Sequence, residues 1–396
     1  MPLGGIEPPS SVPKTDALSV KPQRRVSGRI IHQMADFTQT IEEIEKEIRE
    51  TPYHKGTEHH IGKLRARLAR LKDRQIEQII KKGGGGGGYA VKKEGDASVV
   101  LVGHPSVGKS TLLNALTNAK SKTAPYAFTT VSVIPGMMLY KSAYIQILDV
   151  PGLIEGAEEG KGRGREVLSV ARATDLLLIM TDLQRKGSFK NILNALEKNG
   201  IRVNKTPPQV VIDKKPGGGV VIRSNVEQEV GKETIKDIAL EFGLKNAEIT
   251  IKEKLSLDGL IDAFAVNRVW LPAIFVVNKS DLLENSVPFH YDSNHGNGVF
   301  YISAQKGIGL EGLKEKIYES LNLVRIYLVR EGEEPGFENP IVMKEGQTLL
   351  EVAEKIGTEF AEGKNLAKIW GSQARFPGQE TSLTTKVTDG LQIRFI

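Results

Sequence analysis

The stretch Gly103-His104-Pro105-Ser106-Val107-Gly108-Lys109-Ser110 limits this chain more than any other. It reads G-x-x-x-x-G-K-S, a pattern that wraps backbone N–H groups around a phosphate. The run Val99-Val100-Leu101-Val102 before it predicts a buried strand, and Thr111-Leu112-Leu113-Asn114-Ala115-Leu116 after it predicts a helix. Glycines let the backbone approach closely, and the helix start adds its positive dipole end. In such a loop Lys109 reaches the β- and γ-phosphates and Ser110 offers its hydroxyl to Mg²⁺. Chance gives a match at four fixed positions in about one or two chains per hundred of this length, so other motifs must decide.

Three follow in order. Asp149-Val150-Pro151-Gly152 ends the apolar run Tyr144–Leu148. An Asp at a neighbouring strand end suits a carboxylate on the Mg²⁺ side, and the Gly152 N–H suits the γ-phosphate. Phe128-Thr129-Thr130 lies between these motifs. A loop threonine can ligate Mg²⁺ only while the γ-phosphate is present, and Thr130 is preferred to Thr129 for that role. Asn278-Lys279-Ser280-Asp281 ends the run Ala273–Val277. A carboxylate accepts two hydrogen bonds side by side, which matches the N1–H and 2-amino pair of guanine and nothing on adenine. Asp281 is therefore expected to select guanine, Asn278 to brace the loops and the Lys279 stem to lie on the base. Ser303-Ala304 follows the run Val299–Ile302, where a backbone N–H could meet the guanine oxygen. No G-x-G-x-x-G follows the first strand and no zincin spacing is present, so dinucleotide and zinc-protease readings fall away. His59-His60 are adjacent on a helix and splay apart, which favours solvation over a metal site.

Composition removes other classes. The chain contains no cysteine, which excludes disulfides, thiolate metal sites, thiol nucleophiles and S-linked lipid anchors. No apolar run approaches the roughly 18 residues of a membrane span, and no secretory signal is visible. The expectation is a cytoplasmic protein without membrane attachment, acting as a monomer. A net charge of +6 permits an RNA or phosphate partner without demanding one.

The 396 residues suffice for about two to four domains. Residues 1–33 carry five prolines (Pro2, Pro8, Pro9, Pro13 and Pro22) and read as a disordered extension, with Met34 as a natural start. Residues 34–88 read as a helical hairpin ending in six glycines, Gly83 to Gly88, a linker. Ile41, Ile44 and Ile48 mark the apolar side of its first helix, and Ile61, Leu64, Leu68 and Leu71 that of the second. Lys63, Arg67, Arg70, Arg74 and Lys81 line one flank of the second helix, and Glu43, Glu47 and Glu50 form a row on the first. Alternating strands and helices then predict a mostly parallel sheet with helices on both faces. Its first part is placed at 89–186 and its second at 270–322. The span between is too long for one crossover and is expected to hold a small inserted α/β unit, 187–269. There Gln209–Ile212 and Val220–Arg223 flank Pro216-Gly217-Gly218-Gly219 and look like a hairpin. Residues 323–396 predict a small mixed sheet crossed by one helix capped by Thr348.

The motif order resembles the Obg-related GTPases, and in particular the developmentally regulated GTP-binding (DRG) proteins. GHPSVGKS (103–110), FTTVSVIPG (128–136), DVPGLIEG (149–156), GKGRGREVLSVARA (160–173), NKTPP (204–208) and LNLVRIY (321–327) carry the likeness. It covers residues 34–396. It implies a P-loop GTPase domain with a helical hairpin, an inserted ribosomal-protein-like unit and a C-terminal TGS domain of β-grasp type. It also implies Mg²⁺-dependent hydrolysis of GTP to GDP, work with ribosomes or structured RNA, and in eukaryotes a stabilising protein partner. Gly103, Pro105, Ser106, Val107, Gly108, Lys109, Ser110 and Thr111, with Asn278, Lys279, Asp281, Ser303 and Ala304, are expected around the nucleotide. Ser110, Thr130 and Asp149 are expected at Mg²⁺, and Lys109, Thr130 and Gly152 at the reacting phosphate. Leu153 stands where many GTPases place a water-orienting glutamine, so intrinsic turnover is expected to be slow. Some relatives with this leucine use K⁺ held by a loop asparagine. Ser106 occupies that position here, which leaves K⁺ open. The alternative is an RNA- or ligand-binding module whose GTPase domain is mainly structural.

Overall fold

The computed structural model describes residues 28–82, 94–117, 124–125, 132–150, 170–185, 188–282, 291–292 and 298–396. The glycine run 83–88, the Phe128–Thr130 stretch, Gly152 and Leu153 lie outside these residues.

The main sheet has eight strands. Its parallel centre runs Val299–Tyr301, Ala273–Asn278, Leu176–Asp182, Ala97–Gly103, Ala143–Asp149. Ser132–Tyr140 joins antiparallel on one side, with the two-residue strand Ala124–Pro125 antiparallel beyond it, and Tyr291–Asp292 joins antiparallel on the other. Ala97–Gly103 is buried at every position, as a strand covered on both faces must be. Val99 and Leu101 face a cluster with Leu112, Leu113, Leu313 and Ile317. Val100 and Val102 face the opposite cluster with Ile192 and Leu196. The helices Lys109–Leu116 and Leu310–Ser320 thus cover one face and Ser188–Lys198 the other. Ser188–Lys198 falls within the stretch assigned to the inserted unit on sequence. It belongs to the main layer, because Ile192, Ala195 and Leu196 form the apolar stripe that fits this face.

The insert proper leaves through Ile201–Val203 and returns through Val269–Leu271, two short strands paired in parallel. Its own sheet has the order Val210–Lys214, Ala247–Ile251, Val220–Ser224. The expected hairpin is therefore absent. Ala247–Ile251 lies between its two strands, antiparallel to the first and parallel to the second. Ala247, Ile249 and Ile251 are buried, which makes the central strand the most buried of the three. The link from Lys215 to Gly219 is long enough to step over one strand, and Asn246 fastens to both its ends.

Two helices, α1 (Gly28–Glu50) and α2 (Glu58–Lys82), form the N-terminal hairpin. The first begins six residues ahead of Met34, within the stretch expected to be disordered. No proline follows Pro22 there, so nothing stops the helix from running back to Gly28. The second helix has two buried sides. Ile61, Ala66 and Ala69 join the insert's core with Ile235, Ile238, Leu257 and Ile261. His59 and His60 are exposed to solvent, and their Nε2 atoms also meet Asp237 and Glu47 at 2.8 and 2.9 Å, each tying the helix to a different neighbour.

The C-terminal sheet has the order Pro340–Lys344, Leu323–Leu328, Leu391–Phe395, Leu366–Trp370, Gln379–Ser382. Leu323–Leu328 and Leu391–Phe395 are parallel, and the other pairs are antiparallel. The helix Leu349–Ile356 crosses it behind a capping box of Thr348 and Glu351. The Lys344 ammonium meets Asp175, and Lys355 Nζ lies 2.5 Å from Asp96 Oδ1. Asp96 and Asp175 immediately precede the strands Ala97–Gly103 and Leu176–Asp182, so this domain is docked at the amino ends of the main sheet.

Candidate nucleotide site

The carboxyl ends of the parallel strands hold the motifs, as topology requires of an open α/β sheet. The loop 103–108 turns on two backbone features. Gly108 has φ 93°, and a Cβ there would lie 2.3 Å from Asn278 Nδ2. Ser106 has φ 61°, a left-handed conformation uncommon outside glycine. Pro105 and Ser106 are exposed and Val107 is buried in the core below them. Thr111 and Ser110 stand exposed in the first turn of the following helix.

Lys109 is nearly buried. Its Nζ donates to Gly103 O at 2.9 Å and to His104 O at 3.0 Å, so the ammonium is drawn into the loop's own ring of carbonyls. Ser110 Oγ lies 2.5 Å from Asp149 Oδ2. Asp149 is fully buried, and its Oδ1 has no hydrogen-bond partner among the described residues.

The base side is built around Asn278. Its Nδ2 donates to Val107 O at 2.9 Å, and its Oδ1 accepts from the Ala304 N–H at 3.0 Å. One buried amide thus ties three loops together. Ser303 N–H donates to Ile308 O. The amide N–H groups of Ser303 and Ala304 are both engaged within the protein, which differs from the expectation that one of them faces a base. The reason is local: the Ser303–Ile308 bridge closes the turn, and Ala304 fastens Asn278. The Ser303 side chain has another use. Its hydroxyl, with the backbone and Lys306, holds the Asp281 carboxyl below the ordinary carboxylate range despite the opposing effect of burial. Lys306 Nζ lies 3.4 Å from Asp281 Oδ2. The site offers a fixed, ionised carboxylate.

Sequence reasoning missed Asp182. It ends Leu176–Asp182 in register with Asn278 on the neighbouring strand. Its Oδ2 accepts from Lys279 Nζ at 3.2 Å. The signal was available, since Asp182 ends an apolar strand as Asp149 does. Thr130 and Gly152, expected at the phosphate, lie outside the described residues. Among the described residues no group of three or more His, Asp or Glu side chains could hold a metal, and no helix is long and apolar enough to cross a membrane.

Residues 98–214 match the family described as 50S ribosome-binding GTPase, 217–323 the C-terminal region of that domain, and 324–396 the TGS domain. An uncharacterised GTP-binding protein of Methanocaldococcus jannaschii is 44% identical over 91% of this chain and 93% of its own length. One from Halobacterium salinarum is 41% identical over 86% and 93%. The human developmentally-regulated GTP-binding protein 2 is 38% identical over 87% of this chain and 94% of its own.

Proposed function

The chain belongs to the developmentally regulated family of GTP-binding proteins, with a P-loop GTPase domain followed by a TGS domain, and from that premise we propose that it is a GTP-hydrolysing switch acting on ribosomes or structured RNA. The observation that carries the nucleotide half is the Asn278 brace: it locks the phosphate loop to the turn that holds Asp281 ionised. Phosphate binding and guanine reading are thereby set at a fixed separation. Asp281 accepts the N1–H and 2-amino hydrogens, and charge-assisted bonds of that kind are each worth about 1.5–3 kcal/mol. Gly103 to Ser110 supply the anion nest, and Lys109, now on carbonyls of its own loop, supplies the ammonium.

The residues present fit Mg²⁺. Ser110 and Asp149 give oxygen donors side by side, and the buried Asp149 Oδ1 lacks a protein partner among the described residues. When bound, the ion supplies charge neutralisation for the phosphates. Thr130 and Gly152 are assigned to sensing the γ-phosphate. Leu153 cannot orient water, so unassisted hydrolysis is slow and a partner raises it.

The RNA half rests on α2. Arg67 and Arg74 are exposed and Arg70 half-buried on one flank, with no ion pair among the described residues. The acidic row on α1 does not neutralise them: Glu47 meets His60 and Glu50 faces Lys46. Lys63, on the same flank, is held by Asp237. Three guanidiniums without an ion pair among the described residues, set along one helix, suit a phosphate backbone, whose contacts dominate non-specific affinity.

Nucleotide titration followed by single-turnover hydrolysis tests the first half, and sedimentation with ribosomes in GTP, GDP and a non-hydrolysable analogue tests the second. Tens of turnovers per second without a partner would contradict the role given to Leu153. Tight ribosome binding indifferent to nucleotide, with no hydrolysis, would favour a binding module with a structural GTPase domain.

A further inference from the structure

Asp182 is buried, yet it does not complete its own hydrogen bonding. Oδ2 holds the Lys279 ammonium, while Oδ1 has no partner among the described residues. The partner side is different: the Lys279 side chain is 40% exposed against 8% for Asp182. Burying one charge against a half-solvated one is a poor source of stability, because the carboxylate's desolvation opposes the attraction. The pair makes better sense as a device for direction. Lys279 leaves the strand end with φ 63°, which turns its stem away from the path of Asn278. A free lysine stem would still sample many rotamers. Asp182, paired in register with Asn278, takes hold of the far end. Both ends of the stem are then fixed, two residues before Asp281 in the chain.

Resting on the guanine-nucleotide reading of this site, we propose that Asp182 is a positioning residue for nucleotide affinity: it pins the Lys279 stem as a fixed floor for the base. It touches neither phosphate nor the Watson–Crick edge, so its effect is shared by GTP and GDP. Release of N-methylanthraniloyl-GDP from the full chain tests this. Asp182→Asn keeps the side-chain shape, removes the charge and is expected to speed release about ten- to a hundredfold, the factor expected for one charge-assisted bond. Lys279→Ala reaches the same tether from the other side and is expected to do likewise. The double variant is expected to release no faster than the worse single one, because both remove one interaction. The inhibition constant of inorganic tripolyphosphate, corrected for the changed probe affinity, reads the phosphate loop alone and is expected to be unchanged, whereas a merely structural role would weaken both probes. If Asp182→Asn does not fold, Asp182→Ser and Lys279→Ala carry the same readout. Release within twofold of the parent from a folded single variant, or multiplied effects in the double variant, overturns the inference and leaves the GTP-binding reading intact. A parent chain that binds no guanine nucleotide overturns both.

Discussion

In the proposed reading, guanine recognition rests on the carboxylate of Asp281. Replacing Asp281 by Asn removes its charge and reverses one hydrogen-bond role. GTP affinity is expected to fall by about 3–6 kcal/mol for two charge-assisted bonds, and xanthosine triphosphate, whose O2 can accept from the new amide, is expected to become the preferred ligand. A competition titration decides it, and continued preference for GTP refutes the assignment. The pH dependence has a definite sign. The Asp281 carboxyl is held below its ordinary value, chiefly by the Ser303 hydroxyl. The ionised acceptor therefore persists as pH falls through the usual carboxylate range. Ser303→Ala is expected to move the acid loss of GTP binding to higher pH. Asn278 and Asp281 were legible in the sequence because spacing from a strand end fixes where they stand. Asp182 carried only half of such a signal: it ends an apolar strand as Asp149 does, but its pairing with Lys279 crosses between strands and no spacing marks it.

Among the elements, the helix Leu349–Ile356 shows capping at its fullest. Thr348 accepts from the Glu351 N–H, and the Glu351 carboxylate accepts from the Thr348 N–H. That backbone bond is the main cause holding the Glu351 carboxyl below its ordinary value. Its contribution is complete above the ordinary carboxylate range and is lost as pH falls through the lowered value. Thr348→Ala is expected to cost about 1 kcal/mol in denaturant unfolding, and Glu351→Gln to flatten the acid side of the stability profile. This cap was readable at sequence level. The second buried side of α2 was not, because Gly62, Ala66 and Ala69 are too small to register as an apolar stripe, though their smallness is what allows close approach to the insert. Ala66 is fully buried. Ala66→Leu is expected to overpack that contact and cost about 1–3 kcal/mol, and an unchanged melting temperature would refute the close docking. The insert's false hairpin has a similar origin: Pro216 and the three glycines signal a turn, but not which strand comes to lie between.

At the scale of the molecule, the hairpin rides on the insert and the TGS domain stands beneath the GTPase sheet. Charge reversal at Arg67 and Arg70 is expected to weaken ribosome sedimentation several-fold, make its salt dependence shallower and leave folding unchanged. Lost stability with intact sedimentation would show that those arginines serve the hairpin itself. The TGS position has a mechanical consequence. Asp96 and Gly103 bracket a strand of seven residues, one end gripped by Lys355 and the other opening into the phosphate loop. That strand spans about 23 Å, is covered on both faces, and bonds to a neighbour on either side. It is a strut. Two residues, Leu321 and Asn322, join the last GTPase helix to the first TGS strand, and the Asn322 carbonyl accepts from Glu345 N–H. The far end is thus bolted rather than hinged. The TGS grip on Asp96 is thus held at a set distance from the phosphate loop, and the strand serves as a rigid spacer between the two domains' working ends.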